Sequence, residues 1–180
     1  MNIKGIAVYS VSALIAGLIA ALMYCAIRRI ANRAWRPGER REWPGILAAG
    51  YIAGVVQIIG LRIGVRGAAA RPQKPNWIPL RTTMNQWRLG TWAFVYHTLG
   101  NIAWFVPLGF IVDWLFKRCR WYHALLGGAA LSTLVELMQY LLKTGMPDID
   151  DVILNALGTL IGFILSRLIR RQRASRDGNI

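Results

Sequence analysis

The sequence predicts an all-α membrane protein, a polytopic helical bundle of about five transmembrane helices. Hydrophobic residues make up 55% of the 180 residues and charged residues 17%, whereas a soluble domain carries roughly 25% charged residues. The apolar residues also stand in long runs, and a helix needs roughly 20 of them to cross a bilayer. Lipid is therefore the expected solvent for most of the chain.

Five runs are candidates for membrane spans. They are Gly5–Ile27, the stretches between Glu42 and Arg62, between Arg88 and Asp113 and between Arg120 and Lys143, and the run from Val152 to Ser166. The first exceeds the apolar part of a signal peptide, roughly 7–15 residues, so it is expected to be a retained helix. The last is short. To span, it must include Asp148–Asp151 at one end or let Arg167 and Arg170 snorkel at the other.

The basic residues between the runs predict an orientation. Of the 22 Lys and Arg residues, 14 fall in the first and third loops and the tail, which share one side of a five-span chain. Cytoplasmic loops collect Lys and Arg, so we expect the C terminus on the cytoplasmic side of the membrane and the N terminus on the outer side. The outer loop from Arg62 to Arg88 is also basic, and Trp77, Trp87 and Trp92 suit a position along the membrane surface.

The net charge of +14 does not predict nucleic-acid binding, because the basic residues lie between apolar runs rather than on a soluble face. Membrane lipids are the expected partners. Cys25 and Cys119 provide neither a disulfide framework nor a metal-ligand spacing, and no cofactor is expected. Gly50-xxx-Gly54 and Gly158-xxx-Gly162 predict close approach between helices.

Acidic residues are concentrated near the predicted outer face. Four of the eight fall within Glu136–Asp151. Glu136 lies about two turns inside the fourth span, where a charge is costly unless it is paired or hydrated. Gln139 shares its helix face. We therefore expect both side chains to face the bundle interior or a water-filled cavity.

Two other spans carry polar residues at a similar depth. Asp148, Asp151 and Asn155 are spaced i, i+3, i+7 and share a face of the fifth span. Asn101 lies in the outer half of the third span, one turn after His97. We predict one polar pocket, open to the outside, lined by Asn101, Glu136, Gln139, Asp148, Asp151 and Asn155.

These residues also have structural interpretations. Asp148 is a candidate N-cap, with Asp151 in the first helical turn. Asp150 is expected in solvent. Asn101 and Asn155 are able to bond between helices purely as packing contacts.

Two arginines of the outer loop, Arg81 and Arg88, are candidate contacts for a phosphate or carboxylate above the pocket. Solvation or contact with lipid headgroups is the alternative. His97 is expected to be a satisfied polar residue rather than a ligand.

Four motifs occur in a fixed order, and together they resemble the VanZ family of bacterial envelope proteins over residues 46–170. They are Asn76-Trp-Ile-Pro-Leu80, similar to NLxPF; Asn101-Ile-Ala-Trp-Phe-Val-Pro-Leu-Gly-Phe110, similar to NxxxFxPxG; Glu136-Leu-Met-Gln139, similar to ExxQ; and Asp148–Gly158, similar to DxxDVxxNxxG. Residues 1–45 then form an N-terminal span with a basic loop, and residues 171–180 form a basic tail.

The sequence departs from the family pattern at two places. Leu80 stands where an aromatic residue is usual. Gly145-Met-Pro147 occupies a stretch in which many relatives carry an arginine. If that arginine pairs with a carboxylate, Lys143 or an outer-loop arginine is the expected substitute.

The resemblance implies a role in the cell envelope, since the namesake is associated with low-level resistance to the glycopeptide teicoplanin. We expect a non-catalytic protein that binds or alters a lipid-linked ligand, a cell-wall precursor or a lipoglycopeptide, at the outer face. Ser132 and Thr133 have no suitably placed histidine in the sequence to make them nucleophiles.

Two other functions remain open. Clustered carboxylates suit an intramembrane enzyme acting on a lipid-linked phosphate or cell-wall precursor, with or without a divalent cation. The charge within the fourth span keeps open a role in small-ion transport or as an assembly partner.

Overall fold

The chain is a bundle of α-helices, as predicted. The computed structural model describes residues 3–31, 42–66, 74–116, 118–143 and 145–177. These residues form α1 (Ile3–Ala31), α2 (Trp43–Arg66), α3 (Arg81–Leu89), α4 (Thr91–Leu115), α5 (Trp121–Leu141) and α6 (Ile149–Asp177). The helices divide between two compact units, Met1–Ala70 with α1 and α2, and Arg71–Ile180 with α3 to α6.

Membrane-spanning length is evident in four of the described helices. Val11–Ala31 of α1, all of α4, all of α5 and Ile149–Gln172 of α6 are long and apolar enough to cross a bilayer. The described side chains of α2 give a shorter apolar stretch, Trp43–Gln57. The backbone of α2 continues for 24 residues, which is about 36 Å of helix against a hydrocarbon core of about 30 Å. The five predicted spans thus correspond in position to α1, α2, α4, α5 and α6.

Two elements differ from the predicted layout. The outer loop contains a separate short helix, α3, and α6 is far longer than the predicted fifth span. Helix α6 continues through Arg167 and Arg170, which pair with Asp113, so a snorkelling rescue of a short span is not needed. Basic residues that support the predicted orientation lie partly outside the described residues, among them Arg33, Arg36, Arg40, Arg41 and Lys117. The orientation stays a prediction.

In the first unit, α1 and α2 pack through small residues. A Cβ atom on Gly17 would lie 2.8 Å from the carbonyl oxygen of Gly50, and Ala13 is buried against Gly54. Near the end of α1, the Arg28 guanidinium donates to both carboxylate oxygens of Glu42 at 3.1 Å. Small side chains at the contact let the two backbones approach closely, as is usual between membrane helices.

In the second unit, α6 is the central helix, and α4 and α5 each pack along it. Cβ atoms added to Gly158 and Gly162 of α6 would run into the carbonyl oxygens of Ile102 and Val106 of α4. On the other side, a Cβ atom on Gly128 of α5 would meet the hydroxyl of Thr159. The close approach predicted for Gly158-xxx-Gly162 is confirmed. Because α6 lies so close to α4 and α5, short polar side chains on neighbouring helices are able to reach each other.

Replacing Gly158 by Ala is expected to destabilise the second unit by about 1–3 kcal/mol, because the added methyl group has no room against α4. Gly100→Ala in α4 is the matched control. No described atom lies within 4 Å of its Cβ position, and alanine favours the helix by about 1 kcal/mol. Thermal unfolding in detergent should give a lower Tm for Gly158→Ala and an unchanged or higher Tm for Gly100→Ala. Equal shifts would contradict the close α4–α6 contact.

Candidate functional site

Asp148, immediately before α6, joins three parts of the second unit. Its Oδ1 accepts hydrogen bonds from the backbone N–H of Asp150 at 3.0 Å and from Nδ2 of Asn76 at 2.9 Å. Asp148 therefore caps α6, which satisfies one of the free N–H groups of the first turn. Asn76 also pairs with this segment through its backbone, donating to Pro147 and accepting from Ile149. The chain before α3 is thereby held alongside the start of α6.

Helix α5 brings Glu136 to the same place. Oε2 of Glu136 accepts a hydrogen bond from the backbone N–H of Asp148 at 3.2 Å, and the side chain is buried. Gln139, one turn later, is buried as well, and its side chain fills the space that a Cβ atom on Gly145 would need. Both α5 residues face the interior, as the sequence predicts.

The expectation that Asp150 lies in solvent is wrong. Its side chain is 1% exposed. Oδ1 accepts from the backbone N–H of Leu80 at 2.5 Å, and Oδ2 accepts from the backbone N–H and the hydroxyl of Thr83 at 2.8 and 3.0 Å. The N-cap residue of α3, Leu80, supplies no side-chain acceptor. A carboxylate from α6 therefore satisfies the first turn of α3 and fixes that helix in place.

Helix α4 contacts the start of α6 through Asp151. The Nδ2 of Asn101 donates to Oδ1 of Asp151 at 2.6 Å. The Nδ1 of His97 lies 3.8 Å from the same oxygen. The other ring nitrogen of His97 is buried, and it has no hydrogen-bond partner among the described residues. The expectation that His97 is a fully satisfied polar residue is therefore wrong for Nε2.

Asn155 lies one turn further along α6 and joins it to α5. Its Nδ2 donates to the hydroxyl of Ser132 at 2.8 Å, and both residues are buried. Its Oδ1 is buried without a hydrogen-bond partner in the described part of the chain. Buried polar atoms are nearly always hydrogen-bonded to protein groups or to ordered water, so an unmatched one calls for a structural or functional explanation.

The six residues predicted to line a pocket all lie at one end of α4, α5 and α6. With Asp150 they form what we term the acidic cluster: Asn101, Glu136, Gln139, Asp148, Asp150, Asp151 and Asn155. The sequence analysis did not include Asn76 or Ser132 among the site residues. Asn76 had a signal, because an Asn two residues before a turn often bonds the backbone, and here its Oδ1 accepts from Ile78 at 3.3 Å. A ligand-binding role for the cluster stays a prediction.

No cation is the partner of Asp148 in the part of the chain that the structure describes. Arg81 and Arg88 lie on α3 with exposed side chains, and neither forms an ion pair with a described carboxylate; the same holds for the exposed Lys143. The amide of Asn76 and a backbone N–H supply the donors instead. Anion binding by Arg81 and Arg88 stays a prediction.

Exposed tryptophans surround α3. Trp77 is 70% exposed, Trp87 63% and Trp92 84%, and Trp87 packs edge-on against Phe94 of α4. Tryptophan side chains with this exposure are typical of the boundary between headgroups and acyl chains. Their exposure fits the surface position predicted for the loop, next to the acidic cluster.

A second cluster of polar residues, which was not predicted from the sequence, lies at the opposite end of α4 and α6. Asp113 of α4 is fully buried and accepts from the hydroxyl of Ser166 at 2.6 Å. It also accepts from Nε of Arg167 and Nη2 of Arg170, both at 2.5 Å. We term Asp113, Ser166, Arg167 and Arg170 the arginine cluster. The available signal was an acidic residue ending one apolar run and arginines ending another on the same predicted side.

The described residues also include candidate metal ligands and two cysteines. They contain no group of three or more His, Cys, Asp and Glu side chains arranged to hold a metal ion. Cys25 and Cys119 are both free thiols.

The chain was compared with protein-family models, curated proteins and solved structures. A family model described as VanZ/LLP1 matches residues 48–170, a span that includes all four sequence motifs and the acidic cluster. No curated protein matched the chain, and no solved structure matched it.

Asp150→Ala is expected to loosen α3, because Leu80 and Thr83 lose their acceptor while the rest of α6 keeps its packing. A hydrogen bond to a charged group is worth about 1.5–3 kcal/mol, so amide exchange across Arg81–Leu89 should accelerate roughly tenfold or more. Hydrogen exchange read by mass spectrometry measures this. Asn85→Ala, an exposed position on α3, is the control and should leave exchange unchanged. Unchanged exchange in Asp150→Ala would show that α3 does not depend on this carboxylate.

Proposed function

Because this chain belongs to the VanZ/LLP1 family, we propose that it binds the polar headgroup of a lipid-linked ligand at the outer face of the bacterial cytoplasmic membrane. Binding alters how that ligand is presented and so modulates resistance to glycopeptide antibiotics of the teicoplanin type. The ligand is a lipid-linked cell-wall precursor or a lipoglycopeptide. The N terminus is outside and the C terminus cytoplasmic.

One observation supports this proposal most directly. Polar side chains of three helices meet at one end of the bundle, and two buried atoms there, Nε2 of His97 and Oδ1 of Asn155, lack partners among the described residues. Carboxylates and amide oxygens accept hydrogen bonds from N–H and O–H groups. A peptide or sugar headgroup is rich in such donors, and a ligand of this kind would supply what the two atoms lack.

The surroundings of the acidic cluster favour a ligand that carries a lipid. The exposed aromatic residues beside α3 suit the membrane interface, where the acyl or isoprenoid chain of a ligand would remain in the bilayer. Arg81 and Arg88 are exposed on the same helix, and their planar guanidinium groups suit bidentate contact with the phosphate of a lipid-linked precursor.

An intramembrane enzyme is the second candidate, favoured by the pair formed by His97 and Asp151. A carboxylate beside one imidazole nitrogen orients the ring, and the other nitrogen is then able to accept a proton from a substrate. In this version Asp151 positions His97, and a lipid-linked phosphate or cell-wall precursor is the substrate.

The central test of the first candidate is teicoplanin susceptibility. A sensitive bacterium expressing the parent protein should gain resistance, and Glu136→Gln should lose it, because the side chain that joins α5 to Asp148 loses its charge. Glu42→Gln is the matched control, since it makes the same chemical change in the first unit, where Glu42 pairs with Arg28. Membrane levels of all three proteins are equalised.

Resistance that survives in Glu136→Gln as fully as in Glu42→Gln would exclude the proposed role of Glu136. If the parent itself confers no resistance, the teicoplanin part of the proposal is wrong. Headgroup binding and hydrolysis of a lipid-linked substrate would then be assayed directly.

His97→Gln distinguishes the binder from the enzyme, because glutamine still hydrogen-bonds but transfers no proton at neutral pH. Loss of a general base typically slows a reaction by about 10²–10⁴-fold, so an enzyme should lose its effect on susceptibility. A binder should keep most of it. Addition of a chelator to isolated membranes carrying the parent protein tests the metal-dependent form of the enzyme, with hydrolysis of a lipid-linked substrate as the readout.

A further inference from the structure

The arginine cluster carries more positive charge than its buried carboxylate neutralises. One oxygen of Asp113 accepts from both Arg167 and Arg170, and the other accepts from Ser166. Two guanidinium groups thus share one carboxylate. A buried carboxylate is stable only when it is paired and hydrogen-bonded. The pairing with Asp113 holds both arginines in place, and one of their two positive charges is not neutralised.

The two guanidinium groups still have donors to offer. Each carries five N–H donors in a planar fork. Arg167 uses Nε for Asp113 and Nη2 for the carbonyl oxygen of Cys119, and Arg170 uses Nη2 for Asp113. The side chains are 35% and 41% exposed, so most of their N–H groups remain available to a ligand.

Further contacts make the position of Arg167 more rigid than that of a surface arginine. Its guanidinium carbon lies 4.9 Å from the centre of the Phe163 ring, within the range of a cation–π contact. The bond to Cys119 draws in the connection between α4 and α5, in which Arg118 and Arg120 are exposed. The guanidinium of Arg167 is thus held by Asp113, Cys119 and Phe163, and two exposed arginines flank Cys119 in the chain.

The depth of the arginine cluster matches a layer of lipid phosphates. Arg170 follows Asp150 by 20 residues along α6, which is about 30 Å of helix. The hydrocarbon core is about 30 Å thick. With the acidic cluster at one face of the membrane, the arginine cluster lies at the headgroup level of the other.

We propose that the arginine cluster binds the phosphate of an anionic phospholipid headgroup at the membrane face opposite the acidic cluster. Guanidinium forks bind phosphate oxygens in pairs, with geometric as well as electrostatic preference. Asp113 is a positioning residue in this site, because it orients Arg167 and Arg170 without contacting the lipid.

The test is titration of the full-length protein in detergent micelles with short-chain fluorescent phosphatidylglycerol, with phosphatidylcholine as the neutral lipid. Arg170→Gln should weaken phosphatidylglycerol binding by about tenfold or more, the effect of losing a hydrogen bond to a charged group. Arg171→Gln is the control. It removes the same charge from the next residue, which is exposed and points away from Arg170 on the helix, so it should have a clearly smaller effect. Equal weakening of phosphatidylglycerol binding in both variants would show that the lipid is attracted by diffuse surface charge and not by a specific site.

Two further variants keep the test decisive if Arg170→Gln folds poorly. Arg170→Lys preserves the charge but not the planar fork. A specific site therefore predicts weaker binding of phosphatidylglycerol, whereas diffuse attraction predicts unchanged binding. Asp113→Asn adds a net positive charge, so diffuse attraction predicts tighter binding, whereas loss of positioning predicts weaker binding. Unchanged binding in Arg170→Lys together with tighter binding in Asp113→Asn would overturn the proposal. Inorganic phosphate is added alone as a competitor. Its displacement of phosphatidylglycerol at millimolar concentration would assign the site to free phosphate rather than lipid.

Discussion

Hydrocarbon offers no hydrogen-bond partners, so each charge carried into the membrane must find its donors or acceptors within the protein. In the second unit this constraint falls mainly on α6, which brings polar residues to both of its ends. Asp148 and Asp150 are bonded by Asn76 and the start of α3 at one end. Arg167 and Arg170 are held by Asp113 at the other. Both polar clusters and the seating of α3 follow from satisfying these charges.

Short polar side chains meet only if the helices that carry them are close. Asn101 reaches Asp151 at 2.6 Å because α4 and α6 touch backbone to backbone, with Gly158 against the carbonyl of Ile102. The same close packing of α4 and α6 restricts the movement of the polar groups in the acidic cluster. The groups are fixed by packing on helices rather than on loops, so a ligand would meet acceptors whose positions are set in advance, and little ordering energy would be spent on binding.

The sequence was sufficient to predict the helices and the burial of Glu136 and Gln139, because hydropathy and helical spacing are local properties. It was not sufficient to place Asp150, whose partners lie 67 and 70 residues earlier in the chain. Asp113 is likewise separated by more than 50 residues from the groups that neutralise it. No local pattern encodes such pairs, because they depend on which helices become neighbours and on how each is rotated. Helix α6 extends past the uncharged run 152–166 at both ends, and the arginines beyond that run pair with the buried carboxylate of Asp113.

The most direct test of the proposed headgroup site is native mass spectrometry of the purified protein with an added lipid-linked cell-wall precursor. The account predicts that the parent retains the precursor, that Glu136→Gln loses it, and that Glu42→Gln, which makes the same chemical change in the first unit, retains it. Equal retention by all three proteins would contradict a site built on Glu136. Failure of the parent to retain the precursor would remove it as the ligand.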